Sequence, residues 1–151
     1  MTNPIEIRKA HPEDAFALAD LALQLGYKEE AGKVRDWLLL LLSKGHVVFV
    51  AEAGAKIVGW VHGYLFSLLY QEPMGEIAAL VVEKDYRKRG IGRLLVRAFE
   101  QWAKEKGCNG VFLRSNIKRV EAHKFYQAIG YDLVKTQHIF RKELGNCLGD
   151  L

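Results

Sequence analysis

The segment at residues 76–103 constrains the fold of this chain more than any other. It begins with a mainly apolar run with little alternation, at residues 76–82, which is typical of a strand covered on both faces. A short basic loop with two glycines follows. Apolar residues then recur at intervals of three, four and seven, which predicts a long amphipathic helix. The helical stripe consists of Ile91, Leu94, Leu95, Ala98, Phe99, Trp102 and Ala103.

The loop between this strand and this helix has the features of a site for an anionic ligand. Gly90 and Gly92 have no side chains, so an anion can approach the backbone closely, while Arg87, Lys88 and Arg89 add positive charge. The first amides of a helix have no partners within it, and the helix dipole adds about half a positive charge at the same end. The loop therefore predicts a pyrophosphate cradle built from backbone amides.

Two common phosphate-binding motifs do not fit this loop. A nucleoside-triphosphate P-loop ends in Gly-Lys-Ser or Gly-Lys-Thr, whereas this chain has Gly92, Arg93 and Leu94 in sequence. A dinucleotide fingerprint needs three glycines and an acidic residue about twenty positions later, and here two glycines occur at a different spacing. The other interpretation of the loop is a basic surface turn that precedes a helix.

The rest of the chain predicts a mixed sheet with helices on its faces. Short apolar or alternating runs predict further strands at residues 5–8, 47–52, 56–66, 111–114, 131–134 and 137–142. Helical spacing with proline or glycine at the ends predicts helices at residues 12–25, 30–43 and 119–128. A length of 151 residues without repeats or linkers corresponds to about one domain, so we expect a single domain over residues 1–151.

Composition excludes several classes of protein. The net charge of +4 is small and the basic residues are scattered among acids, so we expect no nucleic-acid partner. Cys108 and Cys147 are too few and too far apart for a metal site or a disulfide framework, which predicts reduced thiols in a cytoplasmic protein. The most apolar stretch, residues 37–42, is about a third of the length of a membrane span, and we expect no membrane partner.

The loop sequence and its surroundings resemble a known family. Arg-Lys-Arg-Gly-Ile-Gly at residues 87–92 resembles the Arg/Gln-x-x-Gly-x-Gly/Ala signature of the GNAT superfamily of acyl-CoA-dependent N-acetyltransferases. Residues 79–82 are similar to the fourth strand of that family. Residues 115–116, 122–126 and 130–131 are similar to the stretch after its fifth strand. The order of elements matches over nearly the whole chain.

The resemblance implies a fold and a co-substrate. The expected fold is mixed α/β, with a central, mostly antiparallel sheet of about six to seven strands, helices on both faces, and fourth and fifth strands that splay apart at a bulge. Acetyl-CoA is the implied acyl donor, with no metal. Its pantetheine arm is expected along the fourth strand and its pyrophosphate on the loop. The far side of the cofactor is expected near Asn116 and Lys124. The residues implied are Leu80, Val81, Val82, Arg87, Lys88, Arg89, Gly90, Ile91, Gly92, Arg93, Asn116 and Lys124.

Acid and base groups are needed because an aliphatic amine and a thiol have pKa values of about 10 and 8.5. In the resemblance Tyr126 is the general acid toward the CoA sulfur, although its spacing alone also fits a core aromatic. Glu76 is the candidate base, acting directly or through a water. The other interpretation of Glu76 is a solvated residue at the start of a strand. His62 has a suitable intrinsic pKa, but the sequence leaves open whether it faces a pocket or the core. The other histidines are expected to pack or to be peripheral, namely His11, His46, His123 and His138.

The acceptor is the least constrained part of the expected reaction. Residues 75–77, 115–119 and 122–126 resemble small-amine acetyltransferases of the aminoalkylphosphonate and aminoglycoside types. The acceptor is therefore an amine of a small molecule or a peptide. A non-catalytic acyl-CoA-binding sensor or regulatory module is the alternative function. The leucine-rich second helix and the last strands are compatible with a homodimer, and the sequence leaves the oligomeric state open.

Overall fold

The central sheet of the protein carries the elements that position the site. The computed structural model describes residues 3–145. Its strands lie in the spatial order β1 (Ile5–Lys9), β2 (Val47–Ala53), β3 (Lys56–Leu68), β4 (Gln71–Val82) and β5 (Val111–Leu113). Neighbouring strands from β1 to β4 pair antiparallel, and β4 pairs with β5 in parallel. The predicted mixed and mostly antiparallel sheet is confirmed.

The helices follow the predicted order. They are α1 (Ala15–Ala22), α2 (Ala31–Ser43), α3 (Ile91–Glu105) and α4 (Val120–Ala128). The helix predicted at residues 12–25 is interrupted, because short 3-10 turns at Pro12–Asp14 and Leu23–Leu25 flank α1. The chain divides into two compact units, Met1–Lys118 with the sheet and α1 to α3, and Arg119–Leu151 with α4. The single domain over residues 1–151 stays a prediction.

The sheet has five strands in the described part of the chain, rather than the six to seven expected. The segments at residues 131–134 and 137–142, predicted as strands, contain no strand. Their apolar side chains are between 77% and 93% exposed, at Leu133, Val134, Ile139 and Phe140. The reason is that a strand is defined by backbone pairing with a neighbour. An apolar pattern predicts which face a strand would bury, but it does not supply that neighbour.

One face of the sheet packs against α3. The stripe predicted for this helix is largely buried, and Phe99 at its centre is fully inaccessible to solvent. Gly63 on β3 lies directly beneath its ring: a Cβ atom at Gly63 would stand 2.2 Å from the Phe99 Cε1 atom. A side chain at this position is therefore excluded, and the aromatic ring rests on the strand backbone.

The other face of the sheet packs against α1 and α2. Leu18 and Leu38 from these helices form a core cluster with Val48 and Val50 of β2, and Trp60 of β3 packs against this cluster. The Trp60 indole N–H also donates a hydrogen bond of 3.2 Å to the Leu18 carbonyl. Helices therefore cover both faces of the sheet, as the sequence predicts.

Two other findings concern the described residues. No helix within residues 3–145 is long and apolar enough to cross a membrane. Cys108 is a free, buried thiol, and Cys147 lies outside the described residues.

The packing at Gly63 generates a stability prediction. Gly63→Ala should lower the free energy of unfolding by about 1–3 kcal/mol, because the new methyl group overlaps the buried Phe99 ring. Gly32→Ala is the matched control, since this glycine lies inside α2 and a Cβ there has open space. The control should be neutral or stabilising by about 1 kcal/mol, because alanine is the better helix former. Urea unfolding of the three proteins measures both effects, and equal stability of Gly63→Ala and wild type would contradict the assigned packing.

Candidate active site

A break in the sheet opens one edge of β4. His62 of β3 lies opposite Ala79, but the next residue, Gly63, lies opposite Ile77, so Ala78 is an extra residue and forms a β-bulge. On the other side, β5 pairs with β4 only at residues 75–77. Within the described residues, β4 therefore has no strand partner on this side from Ala78 to Val82. The expected bulge and the splaying of the two strands are both confirmed.

The N-terminus of α3 lies a short loop beyond this open edge and has the geometry of an anion cradle. Gly90 is the N-cap residue with a φ of 80°, and no side chain caps the helix there. A Cβ atom at Gly90 would meet nothing within 4 Å, so the space beside this residue is open. Lys88 also has a positive φ, 62°, which is unusual for a residue with a side chain and typical of strained ligand-binding turns.

The basic side chains of the loop have different surroundings. The Arg87 guanidinium donates to the Val82 carbonyl at 3.1 Å and to the Gln24 side-chain oxygen at 3.2 Å. Arg87 therefore links the loop to β4 and to the 3-10 turn that follows α1. The Lys84 amide donates to the same Gln24 oxygen at 3.1 Å. The Arg89 guanidinium lies over the Tyr86 ring, 4.9 Å from its centroid. Gln24 has no motif around it, and only the tertiary structure identifies it as a support of the loop.

A cavity of about 470 Å³ lies between α1, α2 and the sheet. Ala78 and Ala79 form part of its wall, so it reaches the bulge on β4. Its lining is mostly aliphatic and aromatic. The lining residues are Leu18, Ala22, Leu25, Tyr27, Glu29, Val34, Trp37, Leu38, Leu41, Val48, Trp60, His62, Ala78 and Ala79.

Glu76 lies on the same face of the sheet but is engaged by two donors. Its carboxylate is buried and accepts a hydrogen bond from the Tyr64 hydroxyl, which is its cross-strand neighbour. The Arg114 guanidinium lies 3.4 Å from its other oxygen. Burial and the bond to Glu76 raise the pKa of Tyr64 to about 12, which keeps this phenol protonated at neutral pH. Glu76 is therefore part of a buried polar network and not a solvated strand end.

His62 lines the cavity and is paired with a second histidine. The His46 Nδ1 and His62 Nε2 atoms are 2.8 Å apart, and the His46 ring stacks on Tyr64 with a centroid distance of 4.8 Å. Burial and the neighbouring His46 lower the pKa of His62 to about 4, and burial also lowers the pKa of His46. Both rings are neutral at pH 7. His46 is not peripheral as expected, because it immediately precedes β2 and lies beside Tyr64 across the sheet.

The other predicted site residues lie in less enclosed positions. Asn116 is exposed, and its side-chain oxygen accepts a 2.9 Å hydrogen bond from the Lys118 amide. In the second unit, Lys124 is exposed and forms an ion pair with Glu121. Tyr126 of α4 contacts the rings of Phe125 and Tyr131, and burial raises the pKa of its hydroxyl. The hydroxyl is therefore protonated at neutral pH.

No metal centre is present among the described residues. Within residues 3–145, no group of three or more histidine, cysteine, aspartate or glutamate side chains is arranged to hold a metal ion.

Comparisons with known proteins agree on one family. Residues 13–131 match the family model described as the acetyltransferase (GNAT) family. An aminoglycoside N(6')-acetyltransferase type 1 of Stenotrophomonas maltophilia is 28% identical over 91% of this chain and 93% of its own length. An aminoalkylphosphonate N-acetyltransferase of Salmonella typhimurium is 32% identical over 83% of this chain and 84% of its own length.

A solved structure shows the same fold. The aminoglycoside N-acetyltransferase AAC(6')-Iy in complex with CoA superimposes with a TM-score of 0.83 at 19% sequence identity. The match covers 94% of this chain and 96% of that protein.

The depressed pKa of His62 generates a prediction about stability and pH. The unfolded chain binds a proton at His62 below a pH of about 6.5, whereas the folded protein binds it only below about 4. Lowering the pH through this window should therefore destabilise the native state, with His62 contributing about 2–3 kcal/mol of the loss.

Urea unfolding at a series of pH values between 7 and 4 measures this contribution. His62→Gln should lose correspondingly less stability across the window, because glutamine has no proton to bind. The exposed His138, substituted by glutamine, is the matched control. A pH dependence that is identical in His62→Gln and the wild type would contradict the burial of a neutral His62.

Proposed function

Because this chain belongs to the acetyltransferase (GNAT) family and is an acyl-CoA-dependent N-acetyltransferase with acetyl-CoA as its acyl donor, we propose that it transfers the acetyl group directly to a primary amine. The acceptor is an amine of a small molecule or a peptide. One observation carries the proposal: the open edge of β4 at Ala78–Val82 adjoins both the cavity at its bulge and, through the loop, the amide cradle of α3. A donor and an acceptor can therefore meet at the bulge.

The donor site in this proposal combines two stretches of backbone. The edge of β4 at Leu80, Val81 and Val82 has no strand partner on the β5 side. The backbone groups that alternate residues turn to this side are the proposed partners of the amide groups of a pantetheine arm. The amides that follow Gly90 offer donors to the pyrophosphate. A Cβ atom at Gly90 would meet nothing within 4 Å, and Gly92 adds no side chain. Lys88, Arg89, Ile91 and Arg93 complete the loop contacts, with Arg87 holding the loop in place. Asn116 and Lys124 are assigned to the donor only by the family pattern.

The thioester of acetyl-CoA supplies an activated carbonyl, and the chain has to polarise it. A backbone amide at Leu80 or Val81 on the open edge of β4 is the proposed donor to the carbonyl oxygen. A donor placed before the reaction starts stabilises the developing negative charge without reorganising, which is the logic of an oxyanion hole.

The proton of the attacking amine has to reach a base. We assign this role to Glu76, acting through a water, since its carboxylate lies on the cavity side of the sheet two residues before the bulge. His62 lies closer to the acceptor, in the cavity wall, and its neutral ring offers a hydrogen bond to the amine. The amine nitrogen then forms the new bond to the carbonyl carbon as its proton leaves.

The carbon–sulfur bond breaks in the second half of the reaction, and the sulfur needs a proton. Tyr126 is the proposed donor, supported by its place in the family pattern; burial raises the pKa of its hydroxyl, which keeps it protonated at neutral pH and makes it a weaker acid. Its hydroxyl proton passes to the departing thiolate, which leaves as CoA. The proton taken from the amine returns to the tyrosinate through solvent, so the enzyme is regenerated.

A cytoplasmic location and a homodimer stay predictions, because only sequence patterns support them. The alternative function, a non-catalytic acyl-CoA sensor, shares the donor site and lacks turnover. The experiments below separate the two.

The amide cradle generates a binding prediction. CoA and acetyl-CoA should raise the Tm, because a ligand held only by the native state stabilises it, and ATP and NAD should raise it much less. Gly90→Asp should abolish the shift, since it places a negative charge where the pyrophosphate approaches. Gly107→Asp is the matched control, because Gly107 also has a positive φ, 91°, and open space, but lies at the other end of α3.

Thermal denaturation with and without each ligand measures these shifts. The control should bind CoA like the wild type. Normal CoA binding by a folded Gly90→Asp protein would show that the pyrophosphate lies elsewhere.

The assignment of Tyr126 generates a kinetic prediction. Phenylalanine keeps the ring and its packing, so Tyr126→Phe should fold and bind CoA within a few-fold of the wild type. The kcat should fall by at least about tenfold, a cautious bound for a general acid that typically contributes about 10²–10⁴-fold. Tyr131→Phe, which removes the hydroxyl of the adjacent ring, is the control.

Thiol release from acetyl-CoA across a panel of amines measures kcat, and CoA titration measures the affinity. Nearly wild-type turnover of Tyr126→Phe would make Tyr126 a core aromatic only. Absence of turnover with every amine, while both proteins bind CoA equally, would favour the sensor.

A further inference from the structure

The cavity beside the bulge has almost no charge. Among the described residues, Glu29 is the one carboxylate in its lining, and His62 is the one imidazole. The Glu29 side chain is 40% exposed and already has a cationic neighbour, with the Lys33 ammonium at 3.9 Å. His62 is neutral at pH 7, and Glu76 is occupied by Tyr64 and Arg114. The described lining of the cavity therefore has too few negative charges to pair with a ligand that carries several positive charges.

This electrostatic character discriminates between classes of amine. A polycationic amino sugar that enters the cavity has to lose water from several ammonium groups, and burying an ammonium without an anionic partner is strongly unfavourable. The net charge of +4 adds a repulsive field for cations. An amine with a single nitrogen avoids this cost, since that nitrogen has to be neutral when it attacks.

The shape and chemistry of the walls favour an apolar body. The Trp60 indole is held by its bond to the Leu18 carbonyl and forms a fixed aromatic surface between β3 and α1. Trp37 of α2 forms another part of the wall and is 47% exposed, so its indole is accessible to a ligand. Leu38, Leu41 and Val34 complete an aliphatic side. Walls of this kind bind a ring or chain by burying its apolar surface.

We infer that the acceptor is a monoamine carried on an aromatic or apolar body of the size of an arylalkylamine, with the body between Trp37 and Trp60 and the amine at the His62 and Ala78 end. This inference rests on the proposed function, because it names the substrate class of the same site. The volume of about 470 Å³ lies within the range of about 300–1,000 Å³ that is typical of small-molecule sites. It differs from the aminoglycoside after which the Stenotrophomonas relative is named, since an aminoglycoside is a polycationic sugar.

Acetylation kinetics with matched amines test the inference. The probes are 2-phenylethylamine, hexylamine and neamine, a polycationic amino sugar, each with acetyl-CoA and a readout of thiol release. The kcat/KM for 2-phenylethylamine should exceed that for neamine by at least about tenfold, because the cavity leaves extra ammonium groups without partners. Equal or faster turnover of neamine overturns the inference and leaves the proposed acetyl transfer intact.

A substitution in the cavity wall locates the apolar body. Trp37→Ala should raise the KM for 2-phenylethylamine about fivefold or more and change kcat by less than about twofold, because it removes apolar contact that is equal in ground and transition states. Leu40→Ala is the matched control, since Leu40 lies on the same helix with a similar exposure of 50% and is not part of the cavity wall. An unchanged KM in Trp37→Ala overturns the placement.

A binding measurement separates failure of the inference from failure of the proposed function. Trp37 and Trp60 both line the cavity, so 2-phenylethylamine should change the intrinsic tryptophan fluorescence without acetyl-CoA, and the change should be smaller in Trp37→Ala. If no amine is acetylated while CoA still raises the Tm, the proposed acetyl transfer is wrong. The fluorescence titration then tests the inferred preference of the cavity for an apolar monoamine. Tighter binding of 2-phenylethylamine than of neamine supports this preference, and the reverse order overturns it.

Discussion

The extra residue at Ala78 is the constraint on which the rest of the site depends. One added residue in β4 shifts its register against β3 and coincides with the end of its pairing with β5. A fully paired β4 would leave no free amide or carbonyl for a ligand, since buried backbone groups in a sheet are used by the ladder. The bulge is fixed by packing, because Gly63 opposite it lies against the buried Phe99 ring of α3.

Charge is distributed unevenly around this break, and the distribution separates two kinds of ligand. The loop before α3 combines lysine and arginine side chains with the free amides of a helix N-terminus, which suits a pyrophosphate. The cavity on the α1 and α2 face is apolar, with one exposed carboxylate at Glu29. The basic loop and the apolar cavity are thus separate environments that adjoin the open edge of β4. In the proposed function they receive a polyanionic donor and an uncharged amine.

The polar side chains on the cavity face of the sheet form a network in which Tyr64 and His62 are both uncharged at neutral pH. Tyr64 keeps its proton because burial and the bond to Glu76 oppose its ionisation, and His62 stays neutral because burial opposes its protonation. Arg114 balances the charge of Glu76. A neutral histidine beside the cavity favours binding of an uncharged amine, which is the form that attacks a carbonyl. The same arrangement makes the native state sensitive to acid.

The amphipathic helix α3, the glycine loop and most of the succession of helices and strands along the chain could be predicted from the sequence, because each depends on residues close together in the chain. A helix N-terminus with two glycines forms its cradle from local backbone geometry alone. The neighbours of Glu76, the pairing of His46 with His62 and the support of the loop by Gln24 could not be predicted, since they join residues far apart in sequence through strand register. The strands predicted at residues 131–134 and 137–142 show the same limit, because an apolar pattern does not specify a pairing partner. Local chemistry thus determined the basic loop and the amide cradle before α3, and only the tertiary structure decided which residues line the cavity beside the bulge.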